Sequence, residues 1–315
     1  RKPLVASDHK HYIAGRLVAL CAQPGSKRLS RQTLSGGVQQ DNVVRGVNPC
    51  QQFFAFQDCQ SAFGRGLQDL QRLFLASPFL YGPFGIHEHG TTALMDLLDR
   101  RGMLPAENFR RNLSSAGINA FALRQQFRPT SHGCHDCPVA CKRRDVDGLS
   151  LPDFDALAAL AGCCDRADLA GAVTAYRCCL ELGLDPVSAA GSVAAWSEIT
   201  GKTVSAERLV ALVQLIASRE GDGAVLAGGA QRMALELGEP DVAMTVKGLE
   251  LPPYDPRSAC GLALAYAVAP HGGTDRDAWP LASEVLRKPV PTDPASFDGK
   301  ARIISLAEAA NAAMD

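Results

Sequence analysis

The sequence has no apolar run approaching the ~18–20 residues that a membrane-crossing helix needs, and no charged-then-apolar opening of the secretory kind. It has no excess of either charge: 32 Lys and Arg stand against 33 Asp and Glu, a formal net charge of −1. That balance removes the electrostatic reason to expect nucleic acid or an anionic membrane as a partner. Internal repeats and low-complexity segments are missing too, which excludes a solenoid. What the chain does have is cysteine, 11 in 315 residues. The odd count, the adjacent pairs at 163–164 and 178–179 and a tight triplet do not read as a disulfide framework. They point to a reducing compartment, the cytoplasm, with metal or redox use.

The triplet is Cys134-His-Asp-Cys137-Pro-Val-Ala-Cys141, followed by Lys142, Arg143 and Arg144. Three thiolates on so short a loop can converge on one metal, yet a cubane iron–sulfur cluster or a structural zinc normally takes four ligands. Zinc stays open through His132 and His135, although zinc ribbons usually pair C-x2-C with a second such pair. The reverse order, C-x3-C-x2-C, would mark a radical-type cluster and is not what stands here. Pro138 and the cations after Cys141 suit an anionic cluster, whose potential depends on nearby charge and amides.

Helical periodicity begins near residue 91. Thr91 or Thr92 is expected to cap a helix ending at Gly102. Residues 167–182 carry a stripe of Leu169, Val173, Tyr176 and Leu180, with Gly183 at the exit. Asp185-Pro186 starts the next helix, an acidic cap with proline in the first turn. Helices are also expected at 209–218, at 224–237 and in the Ala-rich tail from Ile303; extended candidates are 17–21 and 245–246. The reading is a mainly α-helical protein of two packed subdomains, 72–244 and 245–315. Residues 1–71 are Gln-rich and turn-rich and form an irregular N-terminal remnant. Because it opens on Arg1, the chain reads as a portion of something longer.

Taken singly, the remaining motifs admit structural readings. Leu151-Pro-Asp153-Phe-Asp155 is a solvated helix start, and Leu182-Gly-Leu-Asp185 a helix exit followed by a cap. The paired cysteines read as small buried hydrophobes. The segment from Lys247 to Arg257 packs both charge signs, two prolines and a tyrosine into a rigid passage, which wraps an anionic ligand or makes a buried turn.

Taken in order, these segments resemble the tungsten-containing aldehyde:ferredoxin oxidoreductase family from about residue 72 onward. His89-Gly-Thr91 with Gly102-Met-Leu-Pro105 and Asn108-Phe109 is similar to the family's Y-G-T…G-x-L-P-x-x-N-F. The cysteine triplet shares its spacing and C-P dipeptide, and Leu151 to Asp155 occupies the place of G-P-E-Y-E. Gly183-Leu-Asp185 matches G-L-D, and Gly221 to Gly228 resembles G-x-G-x-x-L-A-x-G. Val246-Lys-Gly-Leu-Glu250, Tyr254-Asp-Pro-Arg257 and Leu264-Ala-Tyr-Ala267 follow V-K-G-L-E…Y-D-P-R…L-x-Y-A.

The resemblance implies a [4Fe–4S] cluster on Cys134, Cys137 and Cys141, and a bis-pterin tungsten or molybdenum cofactor faced by Asp185, Lys247 and Arg257. It implies Asp153, Asp155 or Asp275 as proton carriers, an aldehyde as substrate and ferredoxin as electron acceptor. The family's first, mostly β domain is largely missing; Gly15-Arg16 and Gly25-Ser-Lys27-Arg-Leu29 faintly resemble its end. The family's fourth cluster cysteine follows an aspartate for which Asp315 can stand, placing that ligand past the last residue. Three departures weigh against ordinary aldehyde oxidation. Asp275 replaces a histidine, the acids of G-P-E-Y-E are shortened to aspartate, and Leu180 stands where Asp or Asn contacts the pterin. Three readings therefore compete: an oxidoreductase of this type, a non-catalytic relative, and a zinc-stabilised helical protein. Association with copies of itself is left open.

Overall fold

A computed structural model describes residues 72, 75–134, 137–275, 277–288 and 290–312. The readings of 17–21, of the glycines and Lys27 near the start, of His135 and of Asp315 lie outside these residues. The described chain is mainly helical, as expected, and its principal helices in chain order are α1 Leu94–Arg100, α2 Ala120–Phe127, α3 Phe154–Gly162, α4 Leu169–Leu182, α5 Pro186–Thr200, α6 Ala206–Ser218, α7 Ala230–Glu236, α8 Cys260–Val268 and α9 Lys300–Ala312. Strands occur as three two-stranded antiparallel hairpins: β1 Pro105–Ala106 with β2 Arg111–Asn112, β3 Thr130–His132 with β4 Lys142–Arg144, and β5 Thr245–Val246 with β6 Leu249–Glu250. None of the described helices is long and apolar enough to cross a membrane.

Local chemistry accounts for many of the helix ends. Asn119, Asp153, Asp168, Asp185 and Ser205 each accept a backbone N–H in the first turn of α2 to α6. Gly183 takes φ +70° as α4 exits, and Leu184 N–H returns to the Cys179 carbonyl at 2.8 Å. Two expectations shift. Thr91 does not cap α1; its hydroxyl accepts the Phe154 N–H at 2.9 Å, tying α3 to the 3-10 turn Thr91–Ala93 that leads into α1. The helix expected over 224–237 is broken at Gly228–Gly229, where Gly229 has φ +84° and the Glu250 carboxylate accepts the Ala230 N–H at 2.7 Å. A cap supplied from β6 therefore starts α7.

Helix α5 lies at the centre, touching α3, α4, α6, α7 and β6. Its buried residues, among them Ala189, Ala190, Val193, Ala194 and Ala195, are small enough for neighbours to approach from several sides. Gly191 suits the close approach of β6, since a Cβ there would lie 3.0 Å from Glu250 Cγ and press on it. The main core runs from Leu94 to Val285, taking Tyr254, Leu262, Tyr266 and Trp279 from beyond residue 244. A smaller core joins α8 to α9 through Ala265, Ile304 and Ala307. On the stripe expected for α4, Leu169 and Val173 are buried but Leu180 is 44% exposed, its place being taken by Ala172, Ala175 and Cys179.

Candidate functional site

The cysteine triplet connects β3 to β4, whose register sets Thr130, Ser131 and His132 opposite Arg144, Arg143 and Lys142. Cys137 N–H closes a turn onto the Cys134 carbonyl at 3.0 Å. All three cysteines are of intermediate exposure and none is in a disulfide. Burial pushes the Cys141 thiol up; Lys142 opposes this, while Cys137 and Cys134 add to it, so the three sulfurs are close enough to act on one another. A buried thiol that resists ionisation in the free protein becomes a thiolate once a cation binds it. The loop rests on a third, small core of Leu80, Ile86 and Val139, against which Tyr81, Cys137 and Cys141 pack.

Two cations hold this loop in place. Arg143, buried, donates to the carbonyls of Ala140, Lys142, Ile86 and His87. Gly90, at φ +72°, lets the chain pass under it; a Cβ there would stand 3.1 Å from the Cys141 carbonyl. Lys142 reaches Asp153 at 2.8 Å. Burial pulls the Lys142 ammonium down, but the Asp153 carboxylate outweighs it and the net shift is upward. The Tyr176 phenol beside this pair is pushed up to about 12, by burial first and Asp153 second.

Asp155 points elsewhere. It hydrogen-bonds the Tyr254 phenol, which burial drives well up, with Asp155 and Asp275 adding to the shift. Tyr266 is raised in the same way, and its hydroxyl donates to the Tyr254 carbonyl at 3.3 Å. Asp155, Asp275 and two buried tyrosines thus form one acid–phenol group. The start of α3 stands between it and the cysteine hairpin.

The other three sequence candidates serve nearby structure. Asp185 caps α5, accepting the Ser188 N–H at 2.8 Å. Lys247, at φ +51°, donates to the Ala269 carbonyl at 2.8 Å, at the end of α8. Arg257 pairs with Asp255 and donates to the Phe109 carbonyl at 2.7 Å. It also lines a polar cavity of about 320 Å³ with Arg110, Arg111, Asn112, Ser258 and the Asp255 carboxylate it pairs with. The structure gathers Asp155 and Asp275 at Tyr254 and ties Asp153 to the hairpin through Lys142; Asp185, Lys247 and Arg257 stand on separate elements. Tyr254 and Tyr266 lay within recognised motifs, but only the fold, which joins α3 to residues a hundred positions away, exposes their partnership.

Among the described residues, no group of three His, Cys, Asp or Glu side chains is arranged to hold a metal ion, and His135 and Asp136 lie outside them. In donor type the triplet fits a thiophilic metal or an iron–sulfur cluster: three thiols outside any disulfide on one short loop, with cations beside them. In number it is one ligand short of four. The described chain is a helical shell that presents three thiols on a basic hairpin beside a buried carboxylate–tyrosine group.

The family model for "Aldehyde ferredoxin oxidoreductase, domains 2 & 3" matches residues 66–315. The tungsten-containing aldehyde ferredoxin oxidoreductase of Pyrococcus furiosus is 31% identical over 258 residues, 73% of this chain and 42% of that protein. Its counterpart in Thermococcus kodakarensis is 29% identical over 253 residues, with the same two coverages of 73% and 42%. The chain belongs to the aldehyde ferredoxin oxidoreductase family, in the region of its domains 2 and 3. It spans about 42% of the length of the curated relatives it matches.

Proposed function

We infer that this chain is the cysteine-bearing helical part of an oxidoreductase that oxidises an aldehyde or related substrate and passes the electrons on to ferredoxin. The observation that carries the reading is the β3–β4 hairpin, three thiols outside any disulfide on a loop anchored by Arg143 and by the Lys142–Asp153 pair. Cys134, Cys137 and Cys141 would hold a [4Fe–4S] cluster, and Asp185, Lys247 and Arg257 would face a tungsten or molybdenum bis-pterin. Bound together, these groups would supply two-electron oxidation and a one-electron exit.

The chain's own contribution is positioning and proton handling. Asp155, hydrogen-bonded to Tyr254 and near Asp275, is the carboxylate best placed to hold or pass a proton. Asp153, occupied by Lys142 and by its capping bond to Ala156 N–H, holds the hairpin against α3. The cavity at Arg257, lined by Arg110, Arg111 and Arg257 against the single carboxylate of Asp255, suits an anionic ligand such as a pterin phosphate. The division into 72–244 and 245–315 is proposed on the separate small core between α8 and α9.

Elemental analysis and a visible spectrum of anaerobically purified protein test this reading. Tungsten or molybdenum with about four irons is the expected result. Iron alone would leave the relay without pterin chemistry, as in a non-catalytic relative, and zinc alone would overturn the cluster. Changing Cys134, Cys137 and Cys141 to Ser should abolish iron binding while leaving the helical circular dichroism of the shell in place.

A further inference from the structure

We propose that Tyr81 donates a hydrogen bond from its hydroxyl to a sulfur of the group held by Cys134, Cys137 and Cys141, and so sets that group's reduction potential. The inference rests on the cluster reading above and adds a residue that reading does not contain. Tyr81 ends the helical turn Pro78–Tyr81, and its hydroxyl oxygen is buried with no hydrogen-bond partner among the described residues. Buried hydroxyls are nearly always bonded, so an orphan of this kind calls for an acceptor that arrives with a ligand.

The surroundings say which ligand. The Tyr81 ring packs on the same small core of Leu80, Ile86 and Val139 that carries Cys137 and Cys141. His87 stands against the ring with centroids 4.9 Å apart, and its Nδ1 lies 3.1 Å from the Val139 carbonyl, inside the cysteine loop. Tyr81 is therefore confined beside the loop. The neighbouring cationic donors are spent elsewhere: Arg143 on four backbone carbonyls, Lys142 on Asp153. A hydroxyl is a donor that thiolate and sulfide sulfur can accept, and hydrogen bonds to sulfur are one of the levers on cluster potential. Reduction adds negative charge to the sulfurs, so a donor stabilises the reduced state and raises the potential.

The experiment uses the whole 315-residue chain, loaded anaerobically with iron and sulfide and titrated with electron paramagnetic resonance as the readout. Tyr81→Phe should shift the reduction equilibrium about tenfold toward the oxidised state, which is 59 mV for one electron. Fluorotyrosine at position 81, a stronger donor in nearly the same volume, should move the potential the opposite way. Resonance Raman of the wild-type protein should show iron–sulfur stretches that shift on exchange into D2O, with a smaller shift in Tyr81→Phe. Unchanged potentials in both variants, or equal isotope shifts with and without the hydroxyl, would overturn the role of Tyr81 while leaving the cluster standing. A wild-type chain that takes up no iron would instead sink the cluster reading, and this inference with it.

Discussion

Asp153 and Asp155 are two residues apart at the start of a helix, a spacing at which side chains do not share a face. Asp153 turns to Lys142 and the cysteine hairpin; Asp155 turns to Tyr254. A pair that reads as two equivalent acids therefore divides into a structural carboxylate and one candidate for proton chemistry. Lys142 and Asp153 are each about four-fifths buried, with side chains 19% and 22% exposed. A charge-assisted hydrogen bond so placed is worth about 1.5–3 kcal/mol. Lys142→Met should lose an amount in that range in urea unfolding. Asp153→Asn keeps an oxygen for the helix cap and should lose a similar amount, while the double variant should lose less than the sum. Additive losses would show that the two groups do not act on each other. The cap at Asp153 was legible from a proline and an acid ahead of an apolar run. The meeting of Asp155 with Tyr254 and Asp275 was not, because no local pattern marks a contact across a hundred residues of chain.

At the scale of elements, helices with local signals were the readable ones. Asp185-Pro186 starts α5 and Gly183 ends α4 as capping chemistry requires. What could not be read was set by tertiary partners: the break before α7, capped by Glu250, and the β3–β4 hairpin, whose Thr, Ser, His, Lys and Arg show no alternation of apolar and polar residues. That hairpin is tied down beyond its cysteines by Asp145. The Asp145 carboxylate accepts the N–H groups of Asp147 and Leu149 and pairs with Arg177 on α4. Burial pushes the carboxyl up, but these hydrogen bonds and the guanidinium prevail and hold it below its ordinary value. With the folded value depressed, the contribution is fully present above the unfolded value of about 3.9 and fades as pH falls through the folded one. Unfolding free energy measured from pH 5 downward should fall more steeply in the wild-type protein than in Asp145→Asn. Parallel pH profiles would remove Asp145 as the hairpin's acid-sensitive anchor.

Across the whole molecule, the chain after residue 244 belongs to two cores at once. Tyr254, Leu262, Tyr266 and Trp279 enter the main core, whereas α9 adds only Ile304 and Ala307 to a small one with Ala265 and Ala278. So small an apolar contact gives α9 little hold, and a buried ion pair supplies the rest. Lys300, at the first position of α9, lies 2.6 Å from Glu284 and 2.7 Å from the Thr292 hydroxyl, with both charged side chains no more than 1% exposed. Glu284 in turn accepts the Gly261 and Leu262 N–H groups at 2.7 and 3.2 Å, capping α8. Gly261 makes room for it, since a Cβ would lie 2.8 Å from the carboxylate. One carboxylate thus joins the starts of both helices. Lys300→Met should cost about 3–5 kcal/mol, because it strands Glu284 as a buried charge. Lys300→Met with Glu284→Gln should recover part of that loss, the neutral amide keeping an oxygen for α8 without an unpaired charge. Hydrogen exchange distinguishes this from general softening: the single variant should lose protection first over 300–312 and in the first turn of α8, with α3 to α6 still protected. Uniform loss across all helices would mean that α9 is part of one cooperative unit and that the ion pair is not its separate fastening.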